Sequence, residues 1–93
     1  IQIVKGTVQD GAIVETVYPL YEHGAGQAQI CRTWSDPDYD ASQPAYWYAR
    51  VFEIPTPRWS KTLCESLQNC QQVPDADQMI QERAWSSPIW YLP

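Results

Sequence analysis

"AYWYARVFEIPTPRWS", residues 45–60, decides the fold. Read with the two-residue period of a strand, residues 45–54 put Ala45, Trp47, Ala49, Val51 and Glu53 on one face. The other face carries Tyr46, Tyr48, Arg50, Phe52 and Ile54. Neither face is polar throughout, and a strand apolar on both sides is normally covered on both. Arg50 can lay its stem over apolar neighbours and keep its guanidinium at a rim. Pro55 and Pro57 lack the N–H that a ladder needs, so the strand ends there.

The chain leading into this strand is also β-type. "IQIVKGTV" and "AIVETVYPL" flank Asp10-Gly11, a pair suited to the positive φ angles of a type I′ turn. Residues 1–8 and 12–18 therefore read as an antiparallel hairpin. "YEHGAGQ" reads as a loop and "AQICRTW", residues 28–34, as a third strand. "SDPDYDASQP" breaks regular structure and favours turns. After the central strand, "SKTLCESLQN" is the only helical stretch. Thr62 and Glu65 have the spacing of a capping box, and the helix should be about two turns long. The last strand, within "IQERAWSSPIWYLP", is interrupted at Pro88, the mark of an edge or a bulge. One short helix among five or six strands predicts an all-β fold, an antiparallel β-sandwich of immunoglobulin or fibronectin type. The 93 residues form one domain.

Composition narrows the function. The net charge is −5 with six scattered Lys and Arg, which argues against nucleic acid, where a basic face must meet phosphates. No apolar run approaches the ~20 residues of a membrane span. Five Trp and six Tyr are many for this length and predict very large core residues or an aromatic surface turned to a neighbour. Cys64 and Cys70 in one continuous helix would lie about 240° apart around its axis. They can bridge only if the helix ends before Cys70; otherwise both are free. No Cys pair has metal-site spacing, and no cofactor is expected.

At "IQIVKG", "SDPDYD", "AYWYARVFEIPTPRW" and "QERAWSSPIWY", taken in order, the chain resembles the C-terminal segment of the bacterial family catalogued as domain of unknown function 3604. The resemblance spans nearly the whole chain. It implies an exported parent, periplasmic or extracellular. The parent's N-terminal part would carry a histidine- and aspartate-rich motif like that of PHP-type metal-dependent phosphoesterases. No position here matches that motif, so this chain reads as a non-catalytic C-terminal fragment whose partner is the parent's catalytic domain. The opening "IQIVKG", already inside a strand, suits a fragment.

Several residue sets carry candidate roles. Asp36, Asp38 and Asp40 could offer oxygens to a hard cation, but Pro37 stiffens the loop and no EF-hand pattern follows. The favoured reading is an Asp-rich turn accepting backbone N–H bonds. Glu53, Arg58, Glu82 and Arg83 are expected as ion pairs tying the central strand to the last one, with a polar edge facing the parent's catalytic domain as the alternative. Trp59, Trp85 and Trp90 are expected at a domain interface, with a sugar- or protein-binding aromatic platform as the alternative. Arg50 joins the interface set. His23, the only histidine, reads as a solvated loop residue rather than a catalytic base.

Overall fold

The hairpin around Asp10-Gly11 organises the sheet. In the computed structural model, which describes residues 1–22, 24–74 and 78–93, Asp10 and Gly11 have φ of 50° and 78°. These are the two positive angles of a type I′ turn. β1 (Gln2–Gln9) and β2 (Ala12–Pro19) pair antiparallel in unbroken register from Gln2–Pro19 to Gln9–Ala12. β3 (Ala45–Phe52) pairs antiparallel with the other edge of β1, from Gln2–Arg50 to Thr7–Ala45. The strand read as 45–54 thus lies at the centre, as expected, and ends at Phe52.

The remaining short elements are β4 (Thr56–Pro57), α1 (Trp59–Ser66), a 3-10 turn (Cys70–Gln72), β5 (Met79–Ile80), β6 (Arg83–Trp85) and β7 (Ile89–Tyr91). β6 and β7 share the outer edge of β3, in a five-stranded sheet ordered β2-β1-β3 with both beyond. Trp47 pairs with Ile89, whereas the Ala49 carbonyl accepts from the Ser86 N–H at 2.9 Å. Two steps along β3 therefore meet three along the terminal strand, and the extra residue falls beside Pro88. The Ser86 hydroxyl accepts the Ala49 N–H at 2.9 Å and so completes the ladder where the bulge disturbs it.

The chain divides into two compact units, residues 1–51 with 84–93, and residues 52–83. The first holds the sheet. Its third expected strand is absent: residues 28–34 form no ladder and run as irregular chain. Their β-type composition does not suffice: among the described residues the outer edge of β2 stays unpaired, and the segment adds no strand there.

The second unit holds α1 and a two-stranded ribbon of β4 and β5. Pro57 lies in that ribbon, so the prolines end β3 without ending strand structure. α1 starts earlier than the Thr62–Glu65 capping box suggests. Arg58 is the N-cap, in extended conformation and without a side-chain cap, directly after Pro57. At the other end Gln68 takes φ 54°, Asn69 N–H bonds the Cys64 carbonyl at 2.8 Å and Gln68 N–H bonds the Glu65 carbonyl at 3.2 Å. This Schellman pattern turns the chain back on itself. It brings Cys70 to Cys64 with Cα atoms 4.7 Å apart, and the two are disulfide-bonded; Cys31 is free and exposed. The bridge closes a loop of six residues' separation, for which chain entropy gives about 2 kcal/mol. A Cys64→Ser/Cys70→Ser variant should lose about that much from α1, read as faster amide hydrogen exchange at residues 63–67 with β1 unchanged. His23 and Asp75–Asp77 lie outside the described residues.

Candidate functional site

Register assigns each side chain of the sheet to a face. One face bears Tyr18 and Thr16 from β2, Lys5 from β1, and Trp47 from β3. The Asp-rich loop covers it. Asp36 Oδ2 accepts from the Lys5 ammonium at 2.7 Å and from the Trp47 indole N–H at 3.0 Å. Both Lys5 and Asp36 side chains are only 7% exposed. Lys5 also donates to the Asp38 carbonyl at 2.6 Å, and the Tyr18 hydroxyl donates to Asp38 Oδ2 at 2.7 Å. Aromatic contacts extend the cover: Tyr18 meets Trp34 at 5.3 Å between centroids, and Tyr39 meets Tyr91 at 5.5 Å.

The ionisations follow from these contacts. Burial is the strongest influence on Asp36 and raises its pKa. Lys5, the Asp38 N–H and Trp47 together outweigh burial, and the net shift is downward. Tyr18 is pushed up to about 12, chiefly because its hydroxyl donates to Asp38, with burial and the two aspartates adding to it. Asp40 is lowered by the hydroxyl and N–H of Ser42, both bonded to its Oδ1.

The three aspartates thus turn to separate protein donors. Asp36 and Asp40 each accept the N–H two residues on, at 2.9 and 2.8 Å, as an Asp-rich turn does. Among the described residues no group of three or more His, Cys, Asp or Glu is arranged to hold a metal ion.

The opposite face carries Val4 and Gly6 from β1, Ile13, Glu15 and Val17 from β2, Tyr46 and Tyr48 from β3, and Trp90 from β7. Tyr46 folds across the sheet onto Gly6, where a Cβ would collide with its ring, and donates to Glu15 Oε1 at 2.7 Å. Its ring also contacts Trp90 at 5.1 Å and stacks near Tyr48 at 6.4 Å. Arg50 donates to the Gln2 side-chain carbonyl at 2.7 Å and stays at the rim. Val4, beneath these rings, is 1% exposed, yet Ile13 and Trp90 on the same face are 68% and 67% exposed. Val8 and Val17 are exposed as well. The central strand is therefore covered by its own unit on one face, while the other presents an aliphatic and aromatic surface.

The expected ion pairs between the central and last strands do not form among the described residues. The main chain makes the link: Glu53 N–H bonds the Glu82 carbonyl at 2.9 Å. Arg83 lies over the Phe52 ring at 5.2 Å, and Arg58 donates to the Met79 carbonyl at 3.3 Å. All four of these charged residues are exposed, where an ion pair gains little against water. Trp59, at the start of α1, is 78% exposed; Trp85 in the sheet unit is also exposed. Lys5 and Gly6 lie in the "IQIVKG" block, which by itself assigns them no role. A glycine inside a strand pattern was the available signal, since it marks a close approach.

A family model described as a protein of unknown function (DUF3604) matches residues 5–93. The chain belongs to that family. The match takes in the buried Lys5, the Asp-rich loop and the whole of β3. No curated protein and no solved structure matches the chain. Among the described residues no helix is long and apolar enough to cross a membrane.

Proposed function

We propose that this DUF3604 chain is a non-catalytic β domain that packs through the Val4–Tyr46–Trp90 face onto a metal-dependent hydrolase domain of its parent. The observation that carries this is the uncovered face itself. Among the described residues the sheet unit buries only Val4 and Ala45 as hydrophobic side chains, and leaves Ile13, Val17 and Trp90 in water. An apolar sheet face of this kind is a surface for a partner. In this reading the sheet is one layer of a β-sandwich, immunoglobulin- or fibronectin-like, whose second layer comes from the parent. The catalytic part is N-terminal to this segment and holds the metal ligands; this segment supplies none. The Cys64–Cys70 bridge supports a parent exported from a bacterial cell, because disulfides persist in oxidising compartments.

The test uses the full-length parent. Ile13→Glu/Val17→Glu places two carboxylates on the open face beside Glu15. The expected result is a lowered melting temperature of the catalytic part and lost turnover. Thr33→Glu, on the irregular segment, should leave both unchanged. Unchanged melting and turnover in the Ile13→Glu/Val17→Glu variant would sink the reading. The exposed Trp59, Trp85 and Trp90 favour a second reading, a module that binds sugar or protein through aromatics. Loss of binding with intact turnover on Trp→Ala substitution would support that one.

A further inference from the structure

The loop-covered face holds a feature that packing does not account for. Beyond the Lys5–Asp36 pair, residues of the loop and the sheet line an open cleft of about 300 Å³. Its floor is Lys5, Thr7, Thr16 and Ala45, and its walls include Asp38, Tyr39, Asp40, Gln43 and Trp47. We infer that this cleft binds a neutral sugar ring through its vicinal hydroxyls.

The chemistry of the lining argues for that class. A sheet face meant for protein cover would carry aliphatic side chains here. Instead Thr7, Thr16 and Gln43 offer hydroxyl and amide groups that have no hydrogen-bond partner among the described residues. Each such group both donates and accepts, as a sugar hydroxyl does. Lys5 adds a directed donor. Two of its three N–H groups go to Asp36 and the Asp38 carbonyl; the third has no hydrogen-bond acceptor among the described residues, and this ammonium is buried at the cleft floor. Trp47 and Tyr39 supply ring surface for the apolar side of a pyranose. Ala45, small and 8% exposed, leaves the room.

The volume is at the small end of ligand sites, enough for one ring. Charge argues against acidic ligands. Asp38 and Asp40 line the cleft and the Lys5 ammonium is already paired with Asp36, so a phosphorylated or acidic sugar meets net negative charge. The site lies on the face opposite the proposed docking surface, so the two readings can fail separately.

Saturation-transfer difference NMR on the full-length protein tests it, with glucose, galactose and glucose 6-phosphate as probes. Ring protons of at least one neutral sugar should receive saturation, and glucose 6-phosphate should receive less. Thr7→Val/Gln43→Ala, checked for folding by circular dichroism, should weaken binding about tenfold, as expected for two lost hydrogen bonds. Thr16→Val is the second variant should the first fold poorly. Trp90→Ala should leave the signal intact. No transfer to either neutral sugar, equal transfer to the phosphorylated one, or a signal lost in Trp90→Ala but kept in the cleft variants would overturn the assignment.

Discussion

Replacing Lys5 with methionine should destabilise the sheet unit by about 3–5 kcal/mol, the usual cost of stranding one member of a buried ion pair. For a domain of this size that is a fall of at least about 12 °C in melting temperature. The reason is the position of Asp36. Its carboxylate is almost fully buried and keeps its charge because Lys5 is 2.7 Å away. Methionine fills the aliphatic volume of the lysine stem but supplies no donor. It also frees the Asp38 carbonyl, so the loop loses two of its anchors to β1. The Lys5→Met/Asp36→Leu double variant should recover much of the loss, since a buried pair replaced by apolar groups is often neutral. A double variant as unstable as the single one would show that the loop, not the charge, is what Lys5 serves.

The pH dependence of the two proteins should have opposite sign. In the native protein the Asp36 pKa is lowered on folding. Its contribution is fully present above the unfolded carboxylate value of about 4 and is lost as pH falls through the lower folded value. In Lys5→Met the strongest lowering contact is gone while burial still raises the pKa. A raised carboxylate costs stability when ionised and costs less once protonated. Chemical unfolding should therefore show Lys5→Met gaining stability from pH 7 towards pH 5, where the native protein stays level.

Local chemistry made parts of this legible in the sequence, and long-range pairing hid the rest. Asp10-Gly11 specifies its turn by φ alone, and the period-two pattern of β3 needs no partner to be read. The Asp-rich loop disclosed its internal N–H bonds for the same reason. It did not disclose Lys5, 33 residues away, because a lysine in "IQIVKG" looks like any strand residue turned to water. The segment 28–34 misleads through propensity: β-type composition is a weak local preference, and these residues run as irregular chain although, among the described residues, the outer edge of β2 is open. The helix start misleads because Thr62–Glu65 imitates a cap while Pro57 and Arg58 set the boundary first. Ion pairing among Glu53, Arg58, Glu82 and Arg83 was a reading of charge alone, and the ladder made it unnecessary.

Gly6→Ala should cost about 3 kcal/mol, although alanine suits a strand better than glycine does. The added methyl would occupy the space of the Tyr46 ring. Tyr46 must swing off the sheet, giving up its bond to Glu15 and its contact with Trp90, and Val4 loses its cover. An aromatic folded over a strand glycine stabilises the sheet through that closeness. The cycle with Tyr46→Ala separates this from a backbone effect. With the ring already removed, Gly6→Ala has nothing to displace, and its own change should be a gain of roughly 0.5–1 kcal/mol from the lost freedom of glycine. The coupling is then large and positive, read from urea unfolding of the four proteins. An unchanged cost of Gly6→Ala in the Tyr46→Ala background would mean that the β1 backbone itself requires glycine. In that case the Tyr46–Trp90 layer would not rest on Gly6.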